Sequence, residues 1–191
     1  MEDLAECFDI GETMGSINAG LFITLDGVTE APQTWQGDYF NDEMGAAVGG
    51  LMTGNDGMLL GRHTYDEFAS FWPHADQADP TTAQMNATLK YVVSTTLEKA
   101  DWENTTVVSG DIKAELLKLK QDNRLGVTGS ATLVRWLLQE KLIDELHLFV
   151  HPVAVGAGKR LFEPGEAIPL RLIDSTAFST GVLHLVYGPV S

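Results

Sequence analysis

A short apolar run, a glycine and a helix start follow one another in Asp56-Gly-Met-Leu-Leu-Gly-Arg-His-Thr-Tyr-Asp-Glu-Phe68, and this junction restricts the fold more than any other stretch. Met58 to Leu60 has the character of a buried strand. Gly61 turns the chain, and Thr64 with Glu67 three residues on has the spacing of a capping box, which predicts that a helix begins there. The first turn of a helix carries unpartnered N–H groups and about half a positive charge, so with Arg62 and His63 beside it the junction suits an anion. The plainer reading is that any strand-to-helix turn can carry a glycine and an arginine.

A second junction of the same kind lies in Leu125-Gly-Val-Thr-Gly-Ser-Ala-Thr-Leu-Val-Arg-Trp-Leu-Leu138. A strand ends at Thr128, Gly129-Ser130 turns, and Leu133, Val134, Leu137 and Leu138 form one helix face. Gly129, Ser130, Ala131 and Thr132 are small enough for a ligand phosphate to approach the backbone. Open α/β sheets bind ligands beyond the C-terminal ends of their strands, so two such turns strengthen each other.

The rest of the chain supports an alternating α/β order. Ser16 to Leu25 is a mostly apolar strand ended by Asp26-Gly27, and Thr24 and Asp26 share a face there, either as a polar strand end or as part of a cleft. The loop Val28 to Tyr39 is long enough to cover a site, while Trp35 within it can equally pack on the core. Phe40 to Met52 follows a helical period with Asn41 as N-cap and Gly54 as stop. Asp42 and Glu43 fall in its first turn, where the helix dipole alone justifies carboxylates. His74 to Thr82 reads as an exposed connection before a short helix around Ala83 to Ala87. Lys90 to Thr96 and Thr106 to Ser109 are further strands, and Ile112, Leu116, Leu117 and Leu119 mark a core-facing helix. From Ile143 the pattern alternates, with His147, Phe149 and His151 on one strand face; two histidines without a third ligand predict a surface or subunit contact rather than a metal site. Leu170 to Ser175 and Gly181 to Tyr187 predict a closing antiparallel hairpin.

Composition narrows the function. The chain has 191 residues, 44% of them hydrophobic, which is enough for one sizeable core. A net charge of −15 disfavours nucleic acid as a partner, and no apolar run is long enough to span a membrane. Residues 1 to 15 are acidic and without period, the mark of a loose N-terminal arm, with 16 to 191 as a single domain. Glu2, Asp3, Glu6 and Asp9 stand where a secretory signal needs basic charge, and Cys7 is the one cysteine, so the expectation is a reducing cytoplasm.

Gly61-Arg62-His63-Thr64-Tyr65 resembles the Gly-Arg-x-Thr-aromatic motif with which the dihydrofolate reductase superfamily holds the phosphates of NADPH. Thr24-Leu-Asp-Gly27, Lys90-Tyr-Val-Val-Ser94, the Gly129-Ser130 turn and Val155-Gly-Ala-Gly-Lys-Arg-Leu-Phe162 are similar to segments of one branch, shared with the reductase domain of bacterial riboflavin biosynthesis enzymes. The resemblance runs from about Asn18 to the C-terminus. It implies a dihydrofolate reductase-like α/β fold with a mostly parallel central sheet, an antiparallel C-terminal hairpin and helices on both faces. It further implies an NADPH-dependent reductase acting on a small heterocyclic or sugar-derived substrate of pterin or aminopyrimidine type, in a homodimer. On that resemblance Gly61, Arg62, His63 and Thr64 hold phosphates, Ser94 and Thr95 meet the adenosine end, and Gly129 to Thr132 meet the pyrophosphate. Thr24 and Asp26 face the reacting end, where Asp26 orients substrate or relays a proton, and Asp42 meets a substrate ring nitrogen. The zinc deaminase signature, His-x-Glu with Pro-Cys-x-x-Cys, is absent, so the resemblance extends to reduction and not to deamination. The rival readings are a nucleotide-binding module without turnover and a dimeric scaffold with an empty cleft.

Overall fold

A computed structural model describes residues 15–165 and 167–190, so the acidic arm expected over 1–15 lies, Gly15 aside, outside the described residues. The elements run β1 (Ser16–Thr24), α1 (Asp42–Thr53), β2 (Gly57–Gly61), α2 (Arg62–Phe71), α3 (Pro80–Ala87), β3 (Leu89–Val93), β4 (Thr105–Val108), α4 (Ile112–Asp122), β5 (Arg124–Thr128), α5 (Ala131–Gln139), β6 (Glu145–His151), β7 (Leu170–Ala177) and β8 (Leu183–Pro189). The strands form one eight-stranded sheet in the order β4-β3-β2-β5-β1-β6-β8-β7. Pairings from β4 through β6 are parallel, and β8 and β7 close the edge antiparallel. This is the expected dihydrofolate reductase-like arrangement: strand–helix alternation forces crossovers, and crossovers force parallel pairing.

Alternation along the strands assigns the two faces. Ile17, Ala19, Leu21 and Ile23 of β1 pack with Leu116 of α4 and Val134 and Leu137 of α5. On the opposite face, Met58 and Leu60 of β2 pack with Tyr65 of α2 and Met85 of α3, and Phe22 and Phe149 pack with Met44 of α1. Between those helices, β5 offers Gly126 and Thr128 to this second face, and a trough opens over β5.

Local start signals are read mostly as expected. Asn41 caps α1 through Met44 N (3.1 Å), and Asp111 caps α4 through Ala114 N (3.1 Å). The connection expected through Thr82 is shorter, because Asp79 caps Thr82 N (3.0 Å) and Pro80 occupies the first turn of α3, where its missing N–H costs nothing. Leu117, expected in the core, is 45% exposed, since α4 presents Leu116 inward instead. The histidine face of β6 is buried rather than superficial: Met44 of α1 packs with Phe149, His184 of β8 stacks on Phe149, and Trp35 of the loop after β1 stands against His151.

Lys90 carries a role that its strand position does not announce. Its side chain is fully buried, and Nζ donates to the carbonyls of Met85 (3.0 Å), Asn86 (3.0 Å) and Thr88 (2.8 Å) at the end of α3, 4.0 Å over the Trp102 ring. Those are orphan carbonyls of a helix C-terminus, and a buried cation is the strongest donor set available to them.

Candidate functional site

Strands β2 and β5 are parallel neighbours, so the turns that follow them emerge at the same, C-terminal end of the sheet. There they are tied together. Gly61 N donates to Ser130 Oγ (2.8 Å), while Ser130 Oγ and Ser130 N donate to Thr64 Oγ1 (2.7 and 3.2 Å). The capping box expected of Thr64 and Glu67 does not form. Gly61 is the N-cap, α2 starts at Arg62, and the Thr64 hydroxyl crosses to the second turn instead. The two glycines are needed for this closeness. A Cβ on Gly61 would lie 3.0 Å from Ser130 Oγ, and one on Gly129, which has φ +76°, would lie 3.0 Å from Thr64 Cγ2.

Neither α2 nor α5 has a side chain capping its first turn, whereas α1, α3 and α4 each have one. The two uncapped helices are thus the two whose N-termini meet. Their leading N–H groups, at Arg62, His63 and Thr64 and at Ala131 and Thr132, and the positive ends of their dipoles sit together. Arg62 is half-exposed beside them, its Nε 2.8 Å from both Asp66 oxygens. His63 is exposed, with Nδ1 3.6 Å from Glu67 Oε2.

Next to Gly61, β3 leads into Ser94, which is buried and whose Oγ accepts from the amides of Thr96 (3.2 Å) and Leu97 (3.0 Å). Ser94 thereby shapes the turn and leaves Thr95 exposed beside α2.

At the end of β1, Thr24 Oγ1 donates to Asp26 Oδ1 (2.6 Å) and accepts from Val28 N (3.0 Å). Asp26 also accepts from Gly156 N (2.8 Å) and Val155 N (3.2 Å), and Arg160 Nε donates to its carbonyl (2.8 Å). Two stretches that stand 130 residues apart in sequence, Asp26-Gly27 and Gly156 to Arg160, are therefore one structure. The Thr24 hydroxyl and then the Gly156 amide hold the Asp26 carboxyl down at about 2, so it is an anion at neutral pH. Asp42 is exposed in the first turn of α1, and no hydrogen bond or ion pair joins it to this cluster among the described residues. Its neighbour Glu43 instead accepts from Asn41 Nδ2, Ser179 N and Ser179 Oγ, binding α1 to the β7–β8 turn.

His151, across from Thr24 in the β1–β6 register, escaped sequence reading as a site residue. It is fully buried, its Nδ1 lies 2.9 Å from the Phe149 carbonyl, and its Nε2 has no partner among the described residues. Phe22, Trp35 and Tyr39 stand edge-on to its ring at 5.8, 5.0 and 5.8 Å. Trp35 thus packs against the buried His151 ring. Burial lowers the His151 pKa, keeping the imidazole neutral. The signal was available in the Thr24–His151 pairing of two parallel strands, which no local pattern reveals.

Among the described residues, no group of three or more His, Cys, Asp or Glu could hold a metal, and no helix is long and apolar enough to cross a membrane.

An open, mostly parallel sheet closed by an antiparallel hairpin, with two glycine turns paired at its C-terminal end, has the dihydrofolate reductase-like architecture. Within it, the model of the RibD C-terminal domain matches residues 16–184, and the chain belongs to that family. The Bacillus subtilis (strain 168) protein YyaP is 29% identical over 175 residues, covering 87% of this chain and 91% of its own. Of solved structures, a Shewanella sp. PV-4 protein named as a candidate riboflavin biosynthesis protein has a TM-score of 0.71 at 22% identity, over 92% of this chain and 99% of that one. The Thermotoga maritima diaminohydroxyphosphoribosylaminopyrimidine deaminase/5-amino-6-(5-phosphoribosylamino)uracil reductase gives 0.64 at 14% identity, over 93% of this chain but 57% of that one. At such identities these two likenesses bear on the fold.

Proposed function

We propose that the protein is a reductase that transfers hydride from NADPH to a small heterocyclic or sugar-derived acceptor of pterin or aminopyrimidine type. The observation that carries this is the meeting of two uncapped helix N-termini, α2 and α5, at adjacent strand ends. In a chain of net charge −15, such a concentration of free amides beside Arg62 favours a dinucleotide pyrophosphate over the surrounding surface. The residues fit the cofactor as follows: Gly61, Arg62, His63 and Thr64 with Gly129, Ser130, Ala131 and Thr132 hold phosphates, and Ser94 and Thr95 meet the adenosine end. NADPH, when bound, supplies the hydride. The chain supplies position and dryness.

Thr24 and Asp26 belong to the reacting end, where Asp26, ionised and bonded to two amides, positions the loops rather than passing a proton. Asp42 stands in this reading as the carboxylate for a substrate ring nitrogen. The aminopyrimidine class leans on the name of the Thermotoga maritima protein, and family membership supports reduction more than any one substrate. A cytoplasmic setting belongs to the same reading.

NADPH at about a hundred times its dissociation constant is expected to stabilise the fold by roughly 2.7 kcal/mol in a thermal melt, and to be oxidised when a pterin or aminopyrimidine acceptor is added. Protection without oxidation would support the nucleotide-binding module instead; absence of protection would leave the scaffold.

A homodimer completes the reading. Among the described residues strand β7 pairs only with β8, and it is exposed along nearly its whole length, with Leu172 50% and Ile173 43% exposed, the kind of edge that a second strand covers. Sedimentation velocity at tens of micromolar is expected to give twice the monomer mass, and a single monomeric boundary would discard this part.

A further inference from the structure

The histidines of β6 and β8 meet in a cluster that the reacting end does not use. His147 is buried; its Nε2 lies 3.1 Å from a Glu145 carboxylate oxygen, and its Nδ1 lies 3.0 Å from His184 Nε2. An ionised carboxylate only accepts, so His147 carries its hydrogen on Nε2 and donates to Glu145. Its Nδ1 is then the acceptor, and His184 Nε2 donates to it. The result is one hydrogen-bonded line from Glu145 through His147 to His184, laid across the seam between β6 and β8.

The surroundings favour two neutral rings. His184 stacks on Phe149 at 4.4 Å with 10° between the planes, and Phe178 stands 6.1 Å away. Of the charged groups on β7, Asp174 shares a cross-strand row with Val186 and His147, and Arg171 lies farther along, opposite Gly188. Helix α1 reaches Phe149 and Phe178 through Met44; its Glu43 is occupied by Asn41 and Ser179, and its Asp42 is exposed. On the other side, β1 places Gly20 beside His147. Burial pushes both imidazoles below the ordinary 6.5. For His184 the charge of His147 adds to this and Asp174 opposes it, as Glu145 does for His147.

We propose that Glu145, His147 and His184 form an acid-sensitive latch, which holds the C-terminal hairpin of β7 and β8 to β6 at neutral pH and lets go when both imidazoles are charged. The latch is independent of the reductase reading. One added proton is tolerated, since an imidazolium donates across the gap to a neutral ring. Two are not, because hydrogens then face each other across 3.0 Å and like charges share a largely buried place. His184, half-buried on the hairpin, is the ring that can turn out to water, and its departure removes the stack on Phe149 as well. Both groups titrate lower in the folded protein than in the unfolded chain, so the unfolded chain holds more protons between the two values. The hairpin's hold is therefore full above pH 6.5 and weakens as pH falls below it.

The test is hydrogen exchange of the whole protein, read by mass spectrometry at pH 7.5 and pH 5.0, with each rate compared with its intrinsic rate at that pH. Between the two, protection of β8 is expected to fall roughly tenfold or more beyond that of β3, which lies far from this seam in the strand order. His184→Phe keeps a ring on Phe149 and removes the second charge, so in that protein the two strands are expected to change alike, within about twofold. Should it fail to fold, His147→Gln, which leaves His184 without a charged ring beside it, is expected to give the same result. Equal loss of protection in β8 and β3 of the unmodified protein, or an acid response of β8 that survives His184→Phe or His147→Gln, overturns the latch.

Discussion

Gly129→Ala is expected to raise the dissociation constant for NADPH at least tenfold, a loss of about 1.4 kcal/mol. Gly129 has φ +76°, where an alanine is strained, and its new Cβ would stand 3.0 Å from Thr64 Cγ2. Relief requires Thr64 or the turn to move, and Thr64 Oγ1 is the acceptor on which both Ser130 bonds converge. The first turns of α2 and α5 then separate, and the amides proposed to share one pyrophosphate no longer face one point. Gly181→Ala controls for strain alone: its φ of +86° imposes a similar backbone cost, but its Cβ would meet Pro152 Cγ at an ordinary 3.5 Å, well away from the two turns. Both variants should melt earlier than the parent; only Gly129→Ala should lose cofactor affinity. Equal NADPH affinities for Gly129→Ala and the parent would break the link between the paired turns and the dinucleotide.

Lys90→Met is expected to destabilise the fold by about 3 kcal/mol and lower the melting temperature by roughly 6–12 °C. Methionine fills the space but leaves the carbonyls of Met85, Asn86 and Thr88 without a donor in a dry setting, and removes the cation over Trp102. A pH series separates this from mere packing loss. Burial lowers the Lys90 pKa from its ordinary 10.5 to about 8, only partly opposed by Glu103. Between those values the unfolded chain holds more protons than the folded one, so this group's penalty is full below pH 8 and stability rises as pH climbs toward 10.5. The variant should lose that upward slope. A Lys90→Met protein as stable as the parent at pH 7 would show that the three carbonyls find other partners.

Lys90 also shows where sequence reading stops. Within Lys90-Tyr-Val-Val-Ser94 it is one charged residue at a strand start, and only the packing of α3 against β3 makes it a helix cap. The local signals were legible because they depend on neighbours in the chain: Asn41 before an amphipathic run, the glycine at each strand-to-helix turn. Long-range partners were not. Thr64 looked like a capping residue because Glu67 follows at the right spacing, yet Ser130, 66 positions away, takes its hydroxyl. His151 looked superficial by alternation because nothing local shows that Trp35 and Tyr39 of the loop after β1 stand against it. The trough over β5 was equally hidden, since Gly20 and Gly126 clear its floor only once β1 and β5 stand side by side.

The place of β1 in the strand order also governs how the chain must be assembled as it is made. It is made before both of its sheet partners, β5 and β6, the latter ending at His151. At translation rates of roughly 5–20 residues per second, Leu21, Phe22 and Ile23 stay without their sheet partners for on the order of ten seconds. A strand of the sheet's centre, with Ile17, Leu21 and Ile23 destined for the core, is thus without its neighbours while most of the chain is still being made.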